Sequence, residues 1–80
     1  MKKPEAGQFV AWIYYETDPW GDVVDAHTLV GRATGRSRGS LPSYYEIVVT
    51  SLDCQDYPPG TIVWRTRSTF RPYDRRYHGA

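Results

Sequence analysis

Proline and glycine fall almost everywhere between, rather than inside, four runs of β-branched and aromatic residues. That spacing restricts the chain to short strands joined by tight turns. The first run, residues 9–15, is apolar on both faces, which suits a strand covered on one side and covered or partnered on the other. Asp18, Pro19 and Gly21 then supply the chemistry of a reversing turn. The second run, residues 26–34, places His27, Leu29, Gly31 and Ala33 on one face and Thr28, Val30, Arg32 and Thr34 on the other. Either face suits the core, and Gly31 marks a bend or bulge. Residues 35–42 read as a flexible basic loop. In the third run, residues 44–50, Tyr45, Ile47 and Val49 point inward while Glu46 and Thr50 point outward. Pro59 and Gly60 form the centre of a type II turn that feeds a fourth strand over residues 61–67. Residues 68–73 are expected to make a short 3₁₀ turn before a brief last strand or a free tail. No amphipathic helix, internal repeat or low-complexity tract interrupts this order. The expectation is an all-β domain, a strongly bent barrel or roll of four to five antiparallel strands. It is organised as a polar lead-in (1–7), the domain itself (8–74) and a basic tail (75–80).

Three stretches carry a resemblance to a known superfamily: the segment from His27 to Arg32, the strand from Tyr45 to Val49, and Pro59 to Trp64 with a turn near Arg71 and Pro72. In their order, over roughly residues 8–74, they resemble the SH3-like barrels of small prokaryotic and phage proteins. A plasmid-borne, trimethoprim-resistant dihydrofolate reductase family has this barrel at nearly this length. Its members line a tetrameric pore with a Val-Gln-Ile-Tyr strand. Here the corresponding place reads Thr61, Ile62, Val63, Trp64, without the glutamine and tyrosine, and this departure argues against reductase activity.

So short a chain hides only about 60–65% of its unfolded surface, so its core must be dense or shared with a second copy. A composition 40% hydrophobic and 15% aromatic meets that demand, because aromatic side chains bury much area per residue. The two-faced first run also makes a homodimer an expectation. With 24% charged residues and no long apolar run, a membrane partner is not expected. Cys54 is the only cysteine, which points to a reducing, cytoplasmic setting.

Charge is segregated along the chain. Residues 61–77 hold five arginines against one aspartate, whereas residues 16–25 hold four acids and no base. Arg65, Arg67 and Arg71, continued by Arg75 and Arg76, are spaced to contact successive phosphates. Trp64 and Tyr73 are placed to stack on bases. Arg36 and Arg38 in the basic loop would add an electrostatic finger. The ordinary alternative makes Arg65 and Arg67 outward residues of an edge strand, paired with Glu46 or the acidic turn. That turn carries Trp20 between Asp18 and Asp22. Trp20 is expected to fold back on so small a core; if displayed, a tryptophan ringed by acids suits a basic protein surface.

Catalytic residues are not evident. Cys54 lies among acids that disfavour a thiolate, and one cysteine with two dispersed histidines, His27 and His78, makes a poor metal or nucleophile set. No cofactor is implied. The sequence supports first a non-enzymatic module whose Arg/aromatic face engages nucleic acid or a nucleic-acid-handling complex. Second is a phage- or mobile-element-type inhibitor or adaptor, anti-defence-like, that docks a host protein through Trp20 or an aromatic patch. Third is an oligomeric barrel enzyme.

Overall fold

The computed structural model describes residues 3–52 and 54–73. Five strands form one antiparallel sheet: β1 (Phe9–Thr17), β2 (Val23–Arg38), β3 (Tyr44–Val49), β4 (Ile62–Thr66) and β5 (Arg71–Pro72), in the spatial order β4-β3-β2-β1-β5. A single 3₁₀ turn at Arg67–Thr69 separates β4 from β5. The chain then returns to pair Arg71 and Pro72 with Ala11 and Val10 of β1. The result is a small all-β roll, and the described residues contain no α-helix and no helix able to cross a membrane.

Register decides which face is buried. Val10 and Trp12 lie opposite Gly31 and Leu29; Gly31 and Ala33 lie opposite Val49 and Ile47; Ile47 lies opposite Val63. These residues share one face, and together with Cys54 and Phe70 they make the core. The face of β2 that carries His27, Leu29, Gly31 and Ala33 is therefore the inner one. Tyr45, Ile47 and Val49 point inward as their alternation predicts.

Gly31 permits the closest approach in the sheet. A Cβ there would lie 2.5 Å from Ile47 Cγ2, 2.8 Å from the Val48 carbonyl oxygen and 3.2 Å from Trp12 Cη2. Absence of a side chain lets β2 pass beneath two of the largest core residues while pairing on both edges.

The strand β2 is longer than the hydrophobic pattern predicts, and the basic loop is correspondingly shorter. Pairing with β3 resumes at Ser37 and Arg38 after an irregularity beyond Ala33, so Arg36 and Arg38 lie on a strand rather than in a loop. Gly35, at φ 90°, takes up the irregularity in a backbone region that other residues rarely adopt. The lead-in braces this point. Gly7 N–H donates to the Ala33 carbonyl at 2.7 Å and Ala33 N–H donates to the Gln8 carbonyl at 2.8 Å. Pro4 is buried. At the other end, Gly60 at φ 92° and a 3.1 Å bond from Thr61 N–H to the Pro58 carbonyl confirm the predicted type II turn.

Glu46 departs from its predicted solvent exposure. It lies on the outer face as the alternation requires, yet only 7% of it is exposed. The Thr34 hydroxyl donates to its carboxylate at 2.8 Å and Arg36 Nη1 lies 4.0 Å away. A carboxylate is retained at such depth only with partners of this kind.

Replacing Gly31 with Ala is expected to lower stability by about 1–3 kcal/mol through overpacking against Ile47 and the β3 backbone. Urea unfolding checks this; an unchanged midpoint would show that β2 can shift outward without penalty.

Candidate functional site

The β1–β2 hairpin projects beyond the core. Its ladder runs to Thr17 and Val23, whereas the buried cluster reaches only Trp12 and Leu29, with Tyr14 packed against its edge. Asp18 shapes the turn. Its Oδ1 accepts N–H bonds from Trp20 and Asp22, both at 2.9 Å, while its carbonyl accepts from Gly21 at 3.0 Å. This is an Asx-type turn closed by Gly21 at φ 87°.

Trp20 is displayed, not folded back: 83% of it is exposed. The turn offers its side chain no apolar layer, because the core ends further down the hairpin. Val23, Val24, Ile13 and Tyr15 are exposed along the same hairpin. On the outer side of β1, Ile13, Tyr15 and Thr28 line a groove of about 440 Å³ closed by Thr69 and Arg71.

The inner side of the hairpin is polar. Tyr14 meets the Tyr57 ring edge-on at 5.0 Å and stacks near His27 at 6.2 Å. Its hydroxyl donates to Asp56 Oδ2 at 3.2 Å, and burial followed by the negative charge of Asp56 holds this phenol above its ordinary pKa. His27 Nε2 lies 3.4 Å from Glu16 Oε2 and 3.6 Å from Asp25 Oδ2. A hollow of about 290 Å³ beside it is lined by Glu16, His27, Cys54, Gln55 and Asp56. Cys54 itself is buried. Sequence reasoning passed over this cluster because Glu16, Asp25 and His27 are not adjacent in the chain. Counting outward from the Asp18 turn, with Thr17 opposite Val23, would have set residue 16 opposite 24. An irregularity between Glu16 and Thr17 shifts the register so that residue 16 faces 25 and residue 14 faces 27.

The predicted arginine face is divided. Arg65 follows Val63 on the inner side of β4, opposite Tyr45, and donates from Nη1 to the Trp64 carbonyl at 2.9 Å. Arg67 donates to the Phe70 carbonyl at 2.8 Å with its guanidinium 5.0 Å over the Phe70 ring, clamping the 3₁₀ turn. Arg38 stacks over the Trp64 ring at 4.2 Å, on the outer face with Arg36 and Glu46. Arg36 lies near Glu46, the carboxylate that the edge-strand alternative assigned to Arg65 or Arg67. Arg71 borders the groove beside Tyr15, and Tyr73 is tied to β1 by a 2.9 Å bond from its N–H to the Phe9 carbonyl. Arg75 and Arg76, with the rest of the predicted basic tail, lie outside the described residues. Arg36, Arg38 and Trp64 thus come together, while Arg65 and Arg67 sit at the opposite face and Arg71 at the far edge of the sheet.

Neither protein-family models, nor curated proteins, nor solved structures give a match to this chain.

Arg67→Ala is expected to lower stability by about 1–2 kcal/mol, through loss of a charge-assisted bond and a cation–π contact. Arg67→Lys, which keeps the charge but not the planar fork, should recover only part of it. Denaturant titration of both variants decides this. Wild-type stability in Arg67→Ala would return Arg67 to the list of residues placed for a ligand.

Proposed function

We propose that this chain is a non-enzymatic docking module of SH3-like type. In this reading the β1–β2 hairpin binds a partner protein, with Trp20 as the anchor and a basic surface on the partner. The observation that carries the reading is the exposure of Trp20 on a turn already fixed by Asp18. Tryptophan supplies more binding energy per contact than most residues, and a fixed backbone reduces the ordering cost of association. Asp18 and Asp22 flank the anchor and favour a cationic rim on the other side. The SH3-like assignment is supported by the element order, four strands, a 3₁₀ turn and a short fifth strand returning to β1. An inhibitor or adaptor of phage or mobile-element type, acting in the cytoplasm, accords with a domain that presents one anchored hairpin.

A second reading keeps nucleic acid as the partner, now through the outer face. Arg36 is exposed over 77% of its side chain, and Arg38 with Trp64 forms a ready cation–aromatic pair. Phosphate contacts and base stacking need both features.

The test is a comparison of Trp20→Ala with an Arg36→Ala/Arg38→Ala double variant. Trp20 lies outside the core cluster, so the Trp20→Ala melting curve should match the wild type. The arginine variant loses the Arg36 contact with Glu46 and the Arg38 contact with Trp64, and should melt lower while still unfolding cooperatively. Partners captured by the wild-type chain and confirmed with purified components should bind Trp20→Ala at least about 30-fold more weakly, a loss near 2 kcal/mol. Undiminished binding by Trp20→Ala rejects the hairpin. Tight oligonucleotide binding with a steep salt slope, lost in the arginine variant, establishes the outer face instead.

A further inference from the structure

Glu16 and Asp25 stand directly opposite each other across β1 and β2, one pair below the turn that closes the projecting hairpin. Like charges in that relation repel one another. His27 follows on the same face of β2, and its Nε2 lies 3.4 Å from a Glu16 oxygen and 3.6 Å from an Asp25 oxygen. Both separations exceed the ~2.7–2.9 Å of a charge-assisted N–H···O bond. They agree with the edge of a coordination tetrahedron. Ligand atoms about 2.0–2.2 Å from a tetrahedral ion lie about 3.3–3.6 Å from one another. The three ligand atoms all fall within 4.8 Å of one another.

We infer that Glu16, Asp25 and His27 form a binding site for one divalent transition cation, with Zn²⁺ the representative. An imidazole nitrogen with two carboxylate oxygens suits Zn²⁺ and its neighbours, whereas Mg²⁺ and Ca²⁺ favour all-oxygen sets. The imidazole is largely sheltered and the two carboxylates are about half exposed, so an ion reaches the site from solvent. The hollow lined by Cys54, Gln55 and Asp56 also borders Glu16 and His27, so there is room beside these two ligands for a water to complete the shell. A cation here relieves the repulsion between the two acids and cross-links β1 to β2 just below the Trp20 turn. The inference stands independently of what that turn docks.

The experiment is calorimetric titration of the metal-free full chain with Zn²⁺, paired with melting curves and NMR of the histidine rings. One ion per chain, a higher melting temperature and perturbation of the His27 ring are expected. His27→Ala should weaken binding by more than about tenfold, as should Glu16→Gln, which preserves side-chain shape and leaves the Tyr14 stack in place. His78→Ala should bind as the wild type does. Absence of binding at millimolar Zn²⁺ would overturn the inference. So would undiminished affinity in Glu16→Gln, loss of binding in His78→Ala alone, or an equal response to Mg²⁺.

Discussion

The roll depends on the passage of β2 under Trp12 and Ile47 at Gly31. The described residues hold no second sheet or helix layer, so one sheet must bend enough to cover its own inner face. The central strand has to hydrogen-bond to β1 and β3 while approaching both sets of core side chains. A methyl group at residue 31 would meet a side chain, a carbonyl and an indole at once. The irregularity at Gly35, braced by Gly7 and Gln8, then turns the remainder of β2 toward β3. The lead-in is therefore part of the architecture at this point, since it supplies hydrogen bonds to Ala33.

Because the buried cluster stops at Trp12 and Leu29, the first half of β2 and the end of β1 leave the roll as a two-stranded ribbon. A ribbon of this kind has no core of its own, and isolated hairpins are marginal in water. Here the Asp18 bonds close the turn, while the Tyr14 contacts with Tyr57, His27 and Asp56 anchor the inner side to the body of the domain. The same arrangement separates chemistry by side. Polar and ionisable groups gather inside the hairpin, and Ile13 and Tyr15 are exposed outside it.

Much of the fold was legible from alternation and turn chemistry: the strands, the inward set Tyr45, Ile47 and Val49, the Pro59–Gly60 turn, and the 3₁₀ turn before a last strand. Less legible were features set by contacts between distant residues. The extension of β2 through Arg38 depends on a bulge that breaks the period-two signal at Gly35. Burial of Glu46 depends on Thr34, which alternation places on the outer face but cannot pair with it. Display of Trp20 depends on where the core stops relative to the turn, and no local pattern encodes that distance. The Glu16, Asp25 and His27 cluster required the hairpin register, which the asymmetry between Pro19 and Gly21 leaves open by a residue.

Segregation of charge in the sequence also means something different once the strands are in place. A run of arginines at residues 65–71 suggests one cationic face, but alternation sends successive side chains to opposite sides and the 3₁₀ turn then redirects the chain. Arg65 and Arg67 are held by the carbonyls of Trp64 and Phe70, and Arg38 lies on an indole. A guanidinium held in this way must surrender those contacts before it can form a fork to phosphate, which weakens its net contribution to binding. The acids of the hairpin are spread differently. Asp18 is engaged by backbone N–H groups that leave its charge in place, and Asp22 and Asp25 are exposed near the same end. The projecting end of the described molecule is therefore where an uncompensated field and an exposed aromatic side chain coincide. In an interface that conjunction orients the approach of a basic partner and then anchors it.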